Sequence, residues 1–109
     1  MTRSDVVWPD HTRYPNGLDD EHLLRDVLAV LYAESLKHDP GEGFRLPFVE
    51  IQRRLDVRMT NRLGHALKVL DRGVGAISRF DVQHHGKATM YVVHYDRVRV
   101  LGLAPEWAP

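Results

Sequence analysis

Apolar residues recur at helical spacing in the first two thirds of this chain and at alternating spacing in the last third. Leu24, Val27, Leu28 and Leu31, continued by Ala33 or Ser35 and then Leu36, mark a first helix. Asp19 is its expected N-cap, Asp20 and Glu21 complement the dipole in the first turn, and Leu18 and Leu23 have hydrophobic-staple spacing. Asp39-Pro40-Gly41 stops it. Phe44 and Leu46 predict a very short strand, and Pro47 suits the first turn of a second helix. Phe48, Ile51, Gln52 and Leu55 fill the i, i+3, i+4, i+7 positions of that helix, which ends near Asp56 with Arg53 and Arg54 outward. Val57-Arg58-Met59 forms a turn. Thr60 is the expected N-cap of a third helix running to Arg72. This helix buries Leu63, Ala66, Leu67 and Leu70, and Gly73 is the expected left-handed glycine just past its end.

The period then changes. Residues 76–83 alternate, with Ala76, Ser78, Phe80 and Val82 on one face, and Ala88 to Tyr95 is rich in β-formers. His84-His85-Gly86-Lys87 joins the two as the turn of a hairpin. Asp96 is the expected cap of a last short helix from Arg97 to Leu101, before Gly102. The predicted organisation is an N-terminal arm over 1–17, one domain over 18–103, and a tail over 104–109 with Trp107 docked. The predicted class is α+β, with three helices plus a C-terminal β-hairpin.

Helix, short strand, helix, tight turn, helix, hairpin is the order of a winged helix-turn-helix. The run Thr60 to Val74 resembles the recognition-helix signature of winged-helix regulators of the ArsR and MarR types. In those families polar residues precede a His-Leu-x-x-Leu-x-x-x-Gly-Leu pattern, and Leu67, Leu70, Gly73 and Val74 fill its Leu, Leu, Gly and apolar positions here. Ile77-Ser78-Arg79, Gly86-Lys87 and Met90-Tyr91-Val92 are similar to the wing of those proteins. The resemblance spans residues 20–100. It implies a winged helix that binds double-stranded DNA as a transcriptional regulator. It does not extend to the cysteine ligands of metal-sensing members, to the long terminal helices of MarR-type dimers, or to the usual short link between the first two helices.

Composition sharpens this reading once the charge is divided along the chain. Fifteen Lys and Arg balance fifteen Asp and Glu, so the formal net charge is zero. Residues 1–51 nevertheless hold five bases against ten acids, and residues 52–99 hold ten bases against four acids. The basic half coincides with the third helix and the hairpin, as a charged partner would require. The chain has no Cys, which excludes disulfides, thiolate zinc sites and cysteine nucleophiles. No apolar run reaches a membrane-spanning length and no signal-peptide core opens the chain, so a cytoplasmic protein is expected.

Candidate contacts follow from geometry. Asn61, His65, Lys68 and Arg72 are spaced to share the face of the third helix opposite its apolar stripe, with Arg58 and Arg62 flanking. Asn61, Arg62 and His65 suit base edges, and Arg58, Thr60 and Lys68 suit phosphates. In the wing, Lys87 is the surest charge, with His84, His85 and Arg79 beside it. Two winged helices on an inverted repeat would read a longer site, so a homodimer is expected.

The competing reading is a winged helix used as a protein-interaction module, favoured by net neutrality, by Val69 on the flank of the third helix, and by the apolar Met90–Tyr95 strand. A metal site is not expected. His84 and His85 point to opposite faces of an extended segment, and His94 with Asp96 would supply two ligands at most. No phosphate-binding loop, nucleophile elbow or carboxylate pair supports an enzyme, and no cofactor is expected.

Overall fold

Leu24, Val27, Leu28 and Leu31 fall on one side of a helix because 3.6 residues complete a turn. None of the four exceeds 1% exposure in the computed structural model of the chain. The structure describes residues 20–55, 60–80 and 88–108. The first helix, α1 (Asp20–Ser35), leads through the two-residue strand β1 (Phe44–Arg45) to α2 (Phe48–Leu55) and α3 (Thr60–Lys68). A π-helical turn (Val69–Gly73) extends α3. After it come β2 (Ile77–Phe80), β3 (Met90–Val93) and α4 (Tyr95–Val100). Among the described residues the chain is therefore α+β, with three antiparallel strands and a fourth helix.

β3 is the central strand, in the order β1-β3-β2. Phe44 pairs with Tyr91 and Arg45 with Met90 on one side, and Ile77 with Val93 through Phe80 with Met90 on the other. Alternation along β3 turns Tyr91 and Val93 inward, and Met90 and Val92 toward the other face. By the same register Ile77 and Arg79 share the inner side of β2, while Ser78 and Phe80 lie on the outer side. The alternating set anticipated from Ala76 is thus the outward one from Ser78 onward. Phe80 is 48% exposed, and Ala76 precedes the strand and is buried. β3 is shorter than its β-forming run over 88–95, and residues 81–87, with Val82 and the hairpin turn, lie outside the described residues.

Two helix boundaries differ from expectation. Thr60 is the first helical residue of α3, not the residue before it. α4 begins at Tyr95, so Asp96 lies in its first turn, while His94 occupies the N-cap position without a side-chain capping bond. Asp96 and His94 therefore do not continue one strand together. The expected Asp19 cap, Leu18 and the arm over 1–17 lie outside the described residues.

The core joins α1, α3 and the inner face of the sheet into one buried cluster that includes Tyr91, Val98 and Leu103. The α1 stripe ends differently from its apolar pattern: Tyr32 and Ser35 are buried, whereas Leu36, beyond the helix, is 45% exposed. The Ser35 hydroxyl donates to the Tyr32 carbonyl at 2.6 Å and lies 2.6 Å from the Tyr95 hydroxyl, which ties α1 to α4. Trp107 meets Tyr32 edge-on at 5.8 Å while keeping 54% of its surface exposed. Ala104 and Ala108 also pack on the core, so the tail lies on the domain.

An ion cluster joins α1 to α2. Arg53 and Arg54 both donate to Glu50 within α2, and Arg54 also reaches Glu34 of α1 at 3.0 Å. Hydrogen bonds from Arg53 and Arg54 hold the Glu50 carboxyl down at about 2, below its ordinary 4.5. Burial raises Glu34, but hydrogen bonds from Arg54 and Lys37 outweigh it and leave its carboxyl below the usual value. A depressed carboxyl stabilises the fold above its unfolded value, and that contribution is lost as pH falls through the folded value. The melting temperature should therefore decline from pH 5 toward pH 2 more steeply in the native chain than in a Glu34→Gln, Glu50→Gln variant, as thermal melts followed by circular dichroism would show.

Candidate nucleic-acid interface

α3 divides sharply into two faces. Leu63, Ala66 and Leu67 are at most 2% exposed, whereas Asn61 and Lys68 are exposed on the outer side and Arg62 and His65 are half-buried. Arg72, in the π-helical turn, is exposed as well. Asn61, Lys68 and Arg72 thus stand along the outer side with His65 between them, as the i, i+4, i+7, i+11 spacing anticipates. Neither Lys68 nor Arg72 makes an ion pair among the described residues. Of the remaining candidates, Arg58, His84, His85, Lys87 and the Thr60 side chain lie outside the described residues.

The end of α3 departs from the expected glycine cap. The Val74 amide donates to the Val69 carbonyl at 2.9 Å, five residues back, and the Ala76 amide reaches the Leu70 carbonyl at 2.9 Å. This wider turn carries the helix through Gly73 and Val74, so the left-handed residue is Gly75, with φ +69°. The same turn corrects the reading of Val69 as a flanking surface residue. Val69 and Leu70 are both fully buried, because β2 leaves the turn and packs back against it.

Arg79 is not displayed beside Lys68 and Arg72. Its place on the inner side of β2, opposite Tyr91, aims it at the turn, where its Nε donates to Asp71 Oδ2 at 3.2 Å. Only 16% of the Arg79 side chain and 22% of the Asp71 side chain are exposed. Burial pushes the Tyr91 phenol up, partly opposed by the Arg79 charge and by a hydrogen bond with Thr89. The pairing has an electrostatic consequence for the outer face. Asp71 is the only acid in the run from Thr60 to Gly73, and Arg79 neutralises it from within. The charges left outward are those of Lys68 and Arg72.

The sequence pattern revealed the outer row but missed Asp71. The spacing held no signal for it, because the pairing of β2 with β3 decides that Arg79 points inward and so needs a counter-charge.

On the other face of the sheet, Ser78 Oγ and His94 Nε2 lie 2.6 Å apart. Among the described residues no three His, Asp or Glu side chains come together as metal ligands, and no helix is long and apolar enough to cross a membrane.

The elbow at Gly75 yields a clear test. Gly75→Ala forces an L residue into the left-handed region and should cost about 1–2 kcal/mol of unfolding free energy. Gly64→Ala in α3, where a Cβ meets nothing within 4 Å, should instead stabilise the fold by about 0.4–1 kcal/mol. Urea unfolding of both variants measures the contrast. Comparison of the chain with protein-family models, with curated proteins and with solved structures found no match.

Proposed function

We propose that this protein is a winged helix-turn-helix regulator that binds double-stranded DNA at specific sequences. α3 and its π-helical extension enter the major groove, and the β2–β3 hairpin lies on the backbone or in the adjacent minor groove. The observation that carries this reading is the outward row Asn61, Lys68 and Arg72 on a helix whose opposite face is sealed in the core. The amide of Asn61 can bond adenine N6 and N7, and the cations suit phosphate oxygens or guanine O6 and N7. The basic half of the chain, residues 52–99, contains this helix and the hairpin, and the acidic half contains α1. Two copies on an inverted repeat give a site long enough for useful specificity, so the working form is a homodimer acting on transcription in the cytoplasm.

The protein-module reading loses one of its supports, because Val69 is fully buried.

Selection from random duplexes should enrich a defined site. Lys68→Ala and Arg72→Ala should each weaken binding on all duplexes and reduce the slope of log affinity against log salt by about 0.9. Asn61→Ala should cost about 1–3 kcal/mol on the selected site and little on scrambled DNA. A Lys68→Ala, Arg72→Ala double variant that binds at moderate salt as the native chain does would remove the proposal.

A further inference from the structure

We propose that Asp71 and Arg79 act together as the positioning pair that locks the hairpin to the end of the reading helix. In this arrangement Arg79 touches no nucleic acid. The inference rests on the DNA-binding reading for its function, but its geometry stands apart from that reading. Arg79 sits on β2 and Asp71 in the π-helical turn, eight residues earlier, and their 3.2 Å contact closes that segment into a ring. Inside the ring the connection Val74-Gly75-Ala76 is held from the other side. Arg97 Nε donates to the Val74 carbonyl at 3.0 Å, and the His94 amide donates to the Ala76 carbonyl at 2.9 Å. The backbone bonds from Val74 to Val69 and from Ala76 to Leu70 complete the joint. With these ties in place, the hairpin cannot change its angle to the helix without breaking a charged contact that is mostly shielded from water.

The pair also serves the surface it supports. A carboxylate next to Arg72 would repel phosphate, and Arg79 removes that repulsion by neutralising Asp71 from the inner side of the sheet. One contact therefore pins the hairpin in the direction that the π-helical turn gives it and clears the outer face of negative charge. Arg79 is a positioning residue, and its charge is committed to Asp71.

The experiment compares Asp71→Asn, Arg79→Gln, Arg79→Lys and the double variant Asp71→Asn, Arg79→Gln in the full chain, on the selected duplex and on a scrambled one. Each neutralising single variant should lower the ratio of specific to nonspecific affinity about fivefold, and the double variant should do no worse than either. The salt slope should stay within about 0.3 of native, since no phosphate contact is lost. Arg79→Lys, which keeps the charge, should recover part of the ratio. The proposal is overturned if Arg79→Gln reduces the slope by about 0.9 while Asp71→Asn tightens binding, because Arg79 would then contact phosphate itself. Additive effects, or none, overturn it equally.

If the native chain selects no DNA, the functional reading fails and amide exchange still judges the pair. Exchange over Ile77–Phe80 that rises more than exchange over α1 in both neutralising variants supports the lock; a rise no larger than that over α1 overturns it.

Discussion

The Val74 amide bonds the Val69 carbonyl, five residues back, and the orientation of the C-terminal half of the fold depends on that bond. An α-helical end would release the chain one residue sooner and pointing elsewhere. Here the wider turn buries Val69 and Leu70 together and places Gly75 where a positive φ is required. It then delivers Ala76 into the core, and β2 packs against the turn. The sheet, the inward stacking of Tyr91 and Val93, and the docking of α4 on α1 through Ser35 and Tyr95 follow from that exit.

Charge in this molecule is allocated by direction. On α2 the cations Arg53 and Arg54 are committed to Glu50, and Arg54 also to Glu34, which ties α2 to α1. On β2 Arg79 is committed to Asp71. Lys68 and Arg72, on the outer side of α3 and its extension, have no such commitment among the described residues, which is why this surface is the proposed site. The formal charge of zero thus sums an acidic excess in residues 1–51 and Glu106 with a basic excess in residues 52–99, the half that holds the outward row. Attraction to phosphate would then be local, favouring placement on a site over coating of a polyanion.

Much of the architecture was legible from period alone. Leu24, Val27, Leu28 and Leu31 mark α1, Leu63, Ala66 and Leu67 mark the buried side of α3, and β-formers mark both strands of the hairpin. The exposure of Asn61, Lys68 and Arg72 was legible for the same reason, since the outer side of a helix is the complement of its apolar side. Tyr32, Ser35 and Trp107 were less so, because their partners, Tyr95 for Ser35 and each other for the two rings, come from elements far along the chain.

Local spacing by itself determined the order of elements, the sealed side of each helix and the residues offered outward, because helical and strand periods are properties of short segments. Only the tertiary structure decided which side of β2 faces the core, where α3 ends, and which cations are already spent. Those three outcomes depend on contacts between segments: β2 against the π-helical turn, Arg79 against Asp71, and Arg54 against Glu34. Whether a charged side chain is available to a partner depends on what the rest of the chain brings beside it. For Arg79 that neighbour is Asp71, held in place by a turn that the apolar period did not reveal.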